Sequence, residues 1–125
     1  MATRRANVLG LGLIGGSLAL ALAKHGFVVS GSDANSEVEQ SALARGVIGA
    51  VGIDPLAEIS FIATPVSSIP DQAKLALSKT KGIVTDVGGV KSSVVNSVSD
   101  ARFIGGHPMA GSELAGLDGA DDALF

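Results

Sequence analysis

The 125-residue chain contains no cysteine, tryptophan or tyrosine. Without cysteine there is no disulfide, no thiolate nucleophile and no thiolate-based zinc site; nothing demands an oxidising compartment, and the expected location is cytoplasmic. The only aromatics are four phenylalanines, so the interior must be built from Val, Ile, Leu and Ala, and no platform for stacking bases is provided. Charge is also scarce, at 17% of residues with a net value of -3. The nine Lys and Arg are scattered with no run beyond Arg4-Arg5. A phosphate backbone would find no basic track, which argues against nucleic acid as a partner. The longest apolar stretch, Val8 to Ala23, is interrupted by Gly10, Gly12, Gly15 and Gly16 and is too short and glycine-rich to span a membrane. Preceded by Arg4-Arg5 it has the outline of a secretory signal. Each glycine, however, would weaken an apolar helix by about 1 kcal/mol relative to alanine, whereas a strand-turn-helix needs glycines at such places.

What remains is an α/β composition. Hydrophobic residues make up 46%, and a chain of this length buries about two-thirds of its unfolded surface, so one domain with a real core is expected over residues 1–125. Strands are predicted at Ala6 to Leu11, Phe27 to Asp33, Ile59 to Ala63, Ile83 to Val87 and Phe103 to Gly106. Helices are predicted at Gly16 to Lys24, from Ser36 to about Arg45, from Ser68 to about Ser78, and at Val90 to Val98. Gly26 supplies a left-handed helix end, and Ser36 with Glu39 has the spacing of a capping box. Residues 47–56 read as a loop with at most one strand-like turn, and 111–125 as a loop with one short helix. Alternating strands and helices imply right-handed crossovers and a doubly wound parallel sheet of about five strands.

Gly10-Leu11-Gly12-Leu13-Ile14-Gly15 has the spacing of a loop that cradles a dinucleotide pyrophosphate. In isolation that pattern is weak, but here it follows an apolar strand and opens an alanine-rich helix. Gly10 allows the tight turn, Gly12 a close approach of backbone to phosphate, and Gly15 close packing of helix on strand, while the free amides around Leu13 and Ile14 face the anion. Asp33, 18 residues after Gly15, is placed to accept hydrogen bonds from the adenosine ribose and to repel a 2′-phosphate, favouring NAD over NADP. Thr64-Pro65 and Gly88-Gly89 end the third and fourth predicted strands, at the edge where such sheets bind ligands. Thr64 is in reach of a nicotinamide ribose there, and Gly88 leaves room for the ring. His107, in Gly105-Gly106-His107-Pro108-Met109-Ala110-Gly111, follows the next strand at the same edge. An imidazole with an ordinary pKa of about 6.5 is suited to take a proton from a hydroxyl as hydride leaves. The other histidine, His25, reads as a helix end. Glu37, Glu39, Glu58, Asp118, Asp121 and Asp122 read as solvated faces or caps, with no metal-ligand spacing.

These segments resemble the nucleotide-binding domain of the prephenate and arogenate dehydrogenase family. The resemblance runs through Gly10 to Ser17, Ala63-Thr64-Pro65-Val66, Asp86-Val87-Gly88-Gly89-Val90-Lys91 and Gly105 to Glu113, the last being the most specific. It implies a Rossmann-type fold and an NAD-dependent oxidative decarboxylation of prephenate or arogenate in tyrosine biosynthesis. His107 then matches the catalytic histidine, and Ser112 and Glu113 match positions near the substrate. The resemblance also implies a last sheet strand and a helical second domain, the expected homodimer interface, beyond what this chain carries. Gly89 stands where the family commonly has serine. Alternative readings are a non-catalytic dinucleotide-binding module and another hydroxyacid dehydrogenase of the same fold.

Overall fold

The computed structural model describes residues 4–87 and 102–104. Six parallel strands form one sheet: β1 (Arg4–Leu9), β2 (Phe27–Ser32), β3 (Ala50–Val51), β4 (Ile59–Ile62), β5 (Ile83–Asp86) and β6 (Phe103–Ile104). Their order is β3-β2-β1-β4-β5-β6, the doubly wound arrangement in which strand order reverses beside β1. The count exceeds the expected five because Ala50–Val51, within the stretch read as a loop, pairs with Ser30 and Gly31 of β2. Two residues are too few for a period-2 pattern to register in sequence. The predicted helix Val90 to Val98 and residues 111–125 lie outside the described residues.

Among the described residues three helices cover the sheet: α1 (Leu13–Lys24), α2 (Ser36–Ala44) and α3 (Ile69–Lys79), the last preceded by a 3-10 turn at Val66–Ser68. Successive strand residues point to opposite faces, so a strand buried on both sides reads as unbroken apolar sequence. Val8 packs with Leu18, Ala19, Val29 and Ala42 beneath α1 and α2. Its neighbour Leu9 packs with Ile62, Ile69, Ala73 and Leu77 beneath α3. α1 ends as predicted: His25 is the C-cap and Gly26 follows with φ +90°.

The predicted capping box at Ser36 and Glu39 is corrected. Asn35 is the N-cap, its side chain accepting from the Glu37 amide, while Glu39 reaches back to the amide of Asp33 at 3.0 Å. The asparagine wins because, one residue earlier, its Oδ1 already satisfies a first-turn donor.

Polar groups inside the fold are fully paired where they bind loops to the sheet. Asn7, fully buried in β1, donates to the Asp54 carbonyl at 3.0 Å and the Ser60 hydroxyl at 3.1 Å, and accepts from the Asp54 amide at 2.8 Å. Arg5 adds an ion pair to Asp54 at 3.1 Å. Together they pin the loop before β4. Arg102 donates to the carbonyls of Leu77 and Thr80, both at 2.6 Å, and so closes the carbonyl end of α3. No helix among the described residues is long and apolar enough to cross a membrane.

Candidate dinucleotide site

Gly10 turns the chain out of β1 with φ +98°, a conformation that L side chains rarely adopt. A Cβ there would also stand 2.6 Å from the carbonyl carbon and oxygen of Ala63. The ends of β1 and β4 therefore meet backbone to backbone. Gly15 lies in the first turn of α1, where a Cβ would overlap the Gly10 carbonyl oxygen outright and lie 3.2 Å from the Ala63 Cβ. Gly12 differs from both: a Cβ on it would meet no protein atom within 4 Å. The first two glycines are required by the fold. The third leaves open the space in front of the helix.

That space faces an uncapped helix end. Gly12 is the N-cap of α1, with no side-chain cap and no acidic residue in the first turn. The first amide bonded back along the helix is that of Gly16, to the Gly12 carbonyl at 2.7 Å. The amides of Leu13, Ile14 and Gly15 precede it, so they carry the positive end of the helix dipole. Leu13 itself is exposed and Ile14 half-buried.

Asp33 follows β2 and ties three segments together. Its Oδ2 accepts from the Leu11 amide at 2.8 Å, its Oδ1 from the Asn35 amide at 3.0 Å, and its own amide donates to Glu39. The carboxylate therefore also holds the glycine loop in place. Each oxygen keeps a second lone pair for another donor.

A cleft of about 760 Å³ joins these parts at the carboxyl edge of the sheet, within the usual range for small-molecule and cofactor sites. Of the predicted site residues, Gly10, Gly12, Asp33, Thr64 and Pro65 line it. Gly15 sits one layer beneath, and Leu13 and Ile14 lie on the first turn of α1 outside the lining. Among the described residues no lysine or arginine lines the cleft, and what these residues offer an anion is the free amides and the helix dipole. The Thr64 hydroxyl is buried with no hydrogen-bond partner. An unpaired buried hydroxyl costs about 1–3 kcal/mol, a cost that a ligand hydroxyl would remove. The orphaned hydroxyl, the space in front of Gly12 and the uncapped amides all fit a dinucleotide.

Sequence reasoning missed Ser68, Gln72 and Leu75, which line the same cleft. Their spacing of four and three puts them on one side of α3, offset from the buried Ile69, Ala73, Ala76 and Leu77, and that offset is the signal that finds them. Asp86 is fully buried at the end of β5. Gly88, His107, Ser112 and Glu113 lie outside the described residues. His25, at the other end of α1 from the glycine loop, is exposed.

Residues 18–125 match the family described as the nucleotide-binding domain of prephenate dehydrogenase. The chain belongs to this family. The prephenate dehydrogenase of Lactococcus lactis subsp. cremoris is 38% identical to it, over 94% of this chain and 37% of its own length. That of Bacillus subtilis is 34% identical, over 93% and 35%. The fold superposes on Synechocystis arogenate dehydrogenase with a TM-score of 0.77 at 33% identity, covering 84% of this chain and 41% of that one. With the Aquifex aeolicus prephenate dehydrogenase, solved with hydroxyphenyl propionate and NAD+, the TM-score is 0.73 at 27% identity, over 89% and 43%. The chain thus spans little more than a third of the length of these curated relatives.

Proposed function

We propose that this chain is the NAD-binding part of an enzyme that oxidatively decarboxylates prephenate or arogenate. The observation that carries the reading is the cleft itself: an uncapped helix end, an open glycine, a carboxylate and an unpaired hydroxyl at one sheet edge of a prephenate dehydrogenase-family domain. The amides of Leu13 to Gly15 would hold the pyrophosphate, Asp33 the adenosine ribose and Thr64 the second ribose. Asp33, already fixed by Leu11 and Asn35, needs no rearrangement to accept a ribose hydroxyl, and its charge disfavours a 2′-phosphate. Ser68, Gln72 and Leu75 line the same cleft from the start and first turns of α3. NAD, when bound, supplies the hydride acceptor.

His107, by the family resemblance, accepts the proton of the ring hydroxyl as the carbon bearing it loses hydride and the carboxylate leaves as carbon dioxide. The neutral imidazole is the competent form, so turnover falls as pH drops through its pKa. Ser112 and Glu113 are proposed to lie beside the substrate, and Gly88 beside the nicotinamide. The small-molecule substrate, the homodimer and the cytoplasmic location belong to the same proposal. His107→Asn in the complete enzyme should abolish prephenate- or arogenate-dependent NADH formation while NADH still binds. Retained turnover would remove His107 from the mechanism.

A further inference from the structure

We infer that Glu39 is a positioning and specificity residue, sharing with Asp33 the choice between a ribose 2′-hydroxyl and a 2′-phosphate. The inference rests on the dinucleotide reading of the cleft. Glu39 is half-buried on α2, and α2 has no need of it as a cap, because Asn35 caps the helix through the Glu37 amide. Its carboxylate instead reaches six residues back, where Oε2 accepts from the Asp33 amide at 3.0 Å.

Asp33 is consequently held at three points: its amide by Glu39, its Oδ1 by Asn35 and its Oδ2 by Leu11. Loss of the first hold loosens the Asp33 backbone, and with it the carboxylate that fixes the glycine loop. Glu39 has an electrostatic part as well. Its carboxylate lies against the Asp33 backbone at 3.0 Å, and its half-burial leaves that charge less screened than the exposed Glu37 on the same helix. A 2′-hydroxyl meets an acceptor in Asp33, whereas a 2′-phosphate meets two negative charges.

Titration of the 125-residue chain with NADH and with NADPH, followed by fluorescence of the bound dinucleotide, separates the two parts. Glu39→Gln keeps an acceptor for the Asp33 amide and removes the charge. It should bind NADH within about twofold of wild type while the preference for NADH over NADPH falls about fivefold or more. Raising the salt concentration should narrow the wild-type preference and change that of Glu39→Gln less. Glu39→Ala removes charge and hydrogen bond together and should weaken NADH about fivefold to tenfold. Glu37→Gln should leave the preference unchanged. A preference unaltered in Glu39→Gln, or altered equally in Glu37→Gln, overturns the role of Glu39 and leaves the cleft assignment standing. Absence of NADH binding by the wild-type chain overturns the dinucleotide reading itself.

Discussion

Substituting alanine for Gly12 and for Gly15 should separate ligand binding from folding within one motif. Gly12 has φ -71° and ψ -158°, extended backbone that any residue adopts, and a Cβ there touches no protein atom. Alanine loses slightly to glycine at an N-cap but also restricts the unfolded chain, so the two effects nearly cancel, and stability should stay within about 1 kcal/mol of wild type. The methyl group instead fills the space in front of the α1 amides. If it displaces a pyrophosphate from two charge-assisted hydrogen bonds, at about 1.5 kcal/mol or more each, binding weakens by about 3 kcal/mol, or roughly 100-fold. At Gly15 the added Cβ overlaps the Gly10 carbonyl and sits 2.8 Å from its carbon. Backbone cannot rotate aside, so α1 must lift off the sheet, at a cost of about 3 kcal/mol and a melting temperature lower by about 10 °C. Thermal melts and NADH fluorescence titrations measure both, and with no tryptophan or tyrosine the protein adds almost no background. A Gly12→Ala chain that binds NADH within about threefold of wild type, or that melts as low as Gly15→Ala, would refute this division of labour.

Thr64→Val removes a buried hydroxyl that has no partner, so it should raise stability by about 1 kcal/mol while weakening NADH severalfold; equal NADH affinity would show that the hydroxyl does not meet the ligand. Asn7→Leu strands the amide and carbonyl of Asp54 and the hydroxyl of Ser60, and urea denaturation should report a loss of about 3 kcal/mol. Glu58 has its carboxyl held below the usual range by the hydrogen bond from Arg4 and by that residue's charge. Its contribution is therefore present above the unfolded pKa and lost as pH falls through the lower folded value. Because the pair is exposed, Glu58→Gln should leave the melting temperature at neutral pH and moderate salt unresolved from wild type.

Much of the fold was legible because its signals are local. Gly26 at φ +90°, Pro70 in the first turn of α3 and the short, mainly apolar stretches that end β1 and make up β4 each reflect a backbone or burial requirement that acts within a few residues. The glycine loop was legible for the same reason. Residues 47–56 resisted because β3 exists only through its bonds to β2, and its two exposed residues carry no burial pattern. The capping box misled because Asn35 and Ser36 are both good caps; Asn35, one residue earlier, accepts from the Glu37 amide, and the Glu39 carboxylate accepts from the Asp33 amide instead.

Composition and spacing alone determined that this is an α/β domain with a glycine-rich turn between its first strand and first helix and an acidic residue after the second strand. Residue type dictates which backbone angles, periodicities and charges are possible. The tertiary structure decided how those pieces are used. It made Gly10 and Gly15 necessities of packing and left Gly12 open to a ligand. It also set Thr64 and Gln72 on one cleft and brought the Glu39 carboxylate to the Asp33 amide. Such distinctions depend on which atoms of distant segments come within a few ångströms of one another, and that is fixed only when the sheet assembles.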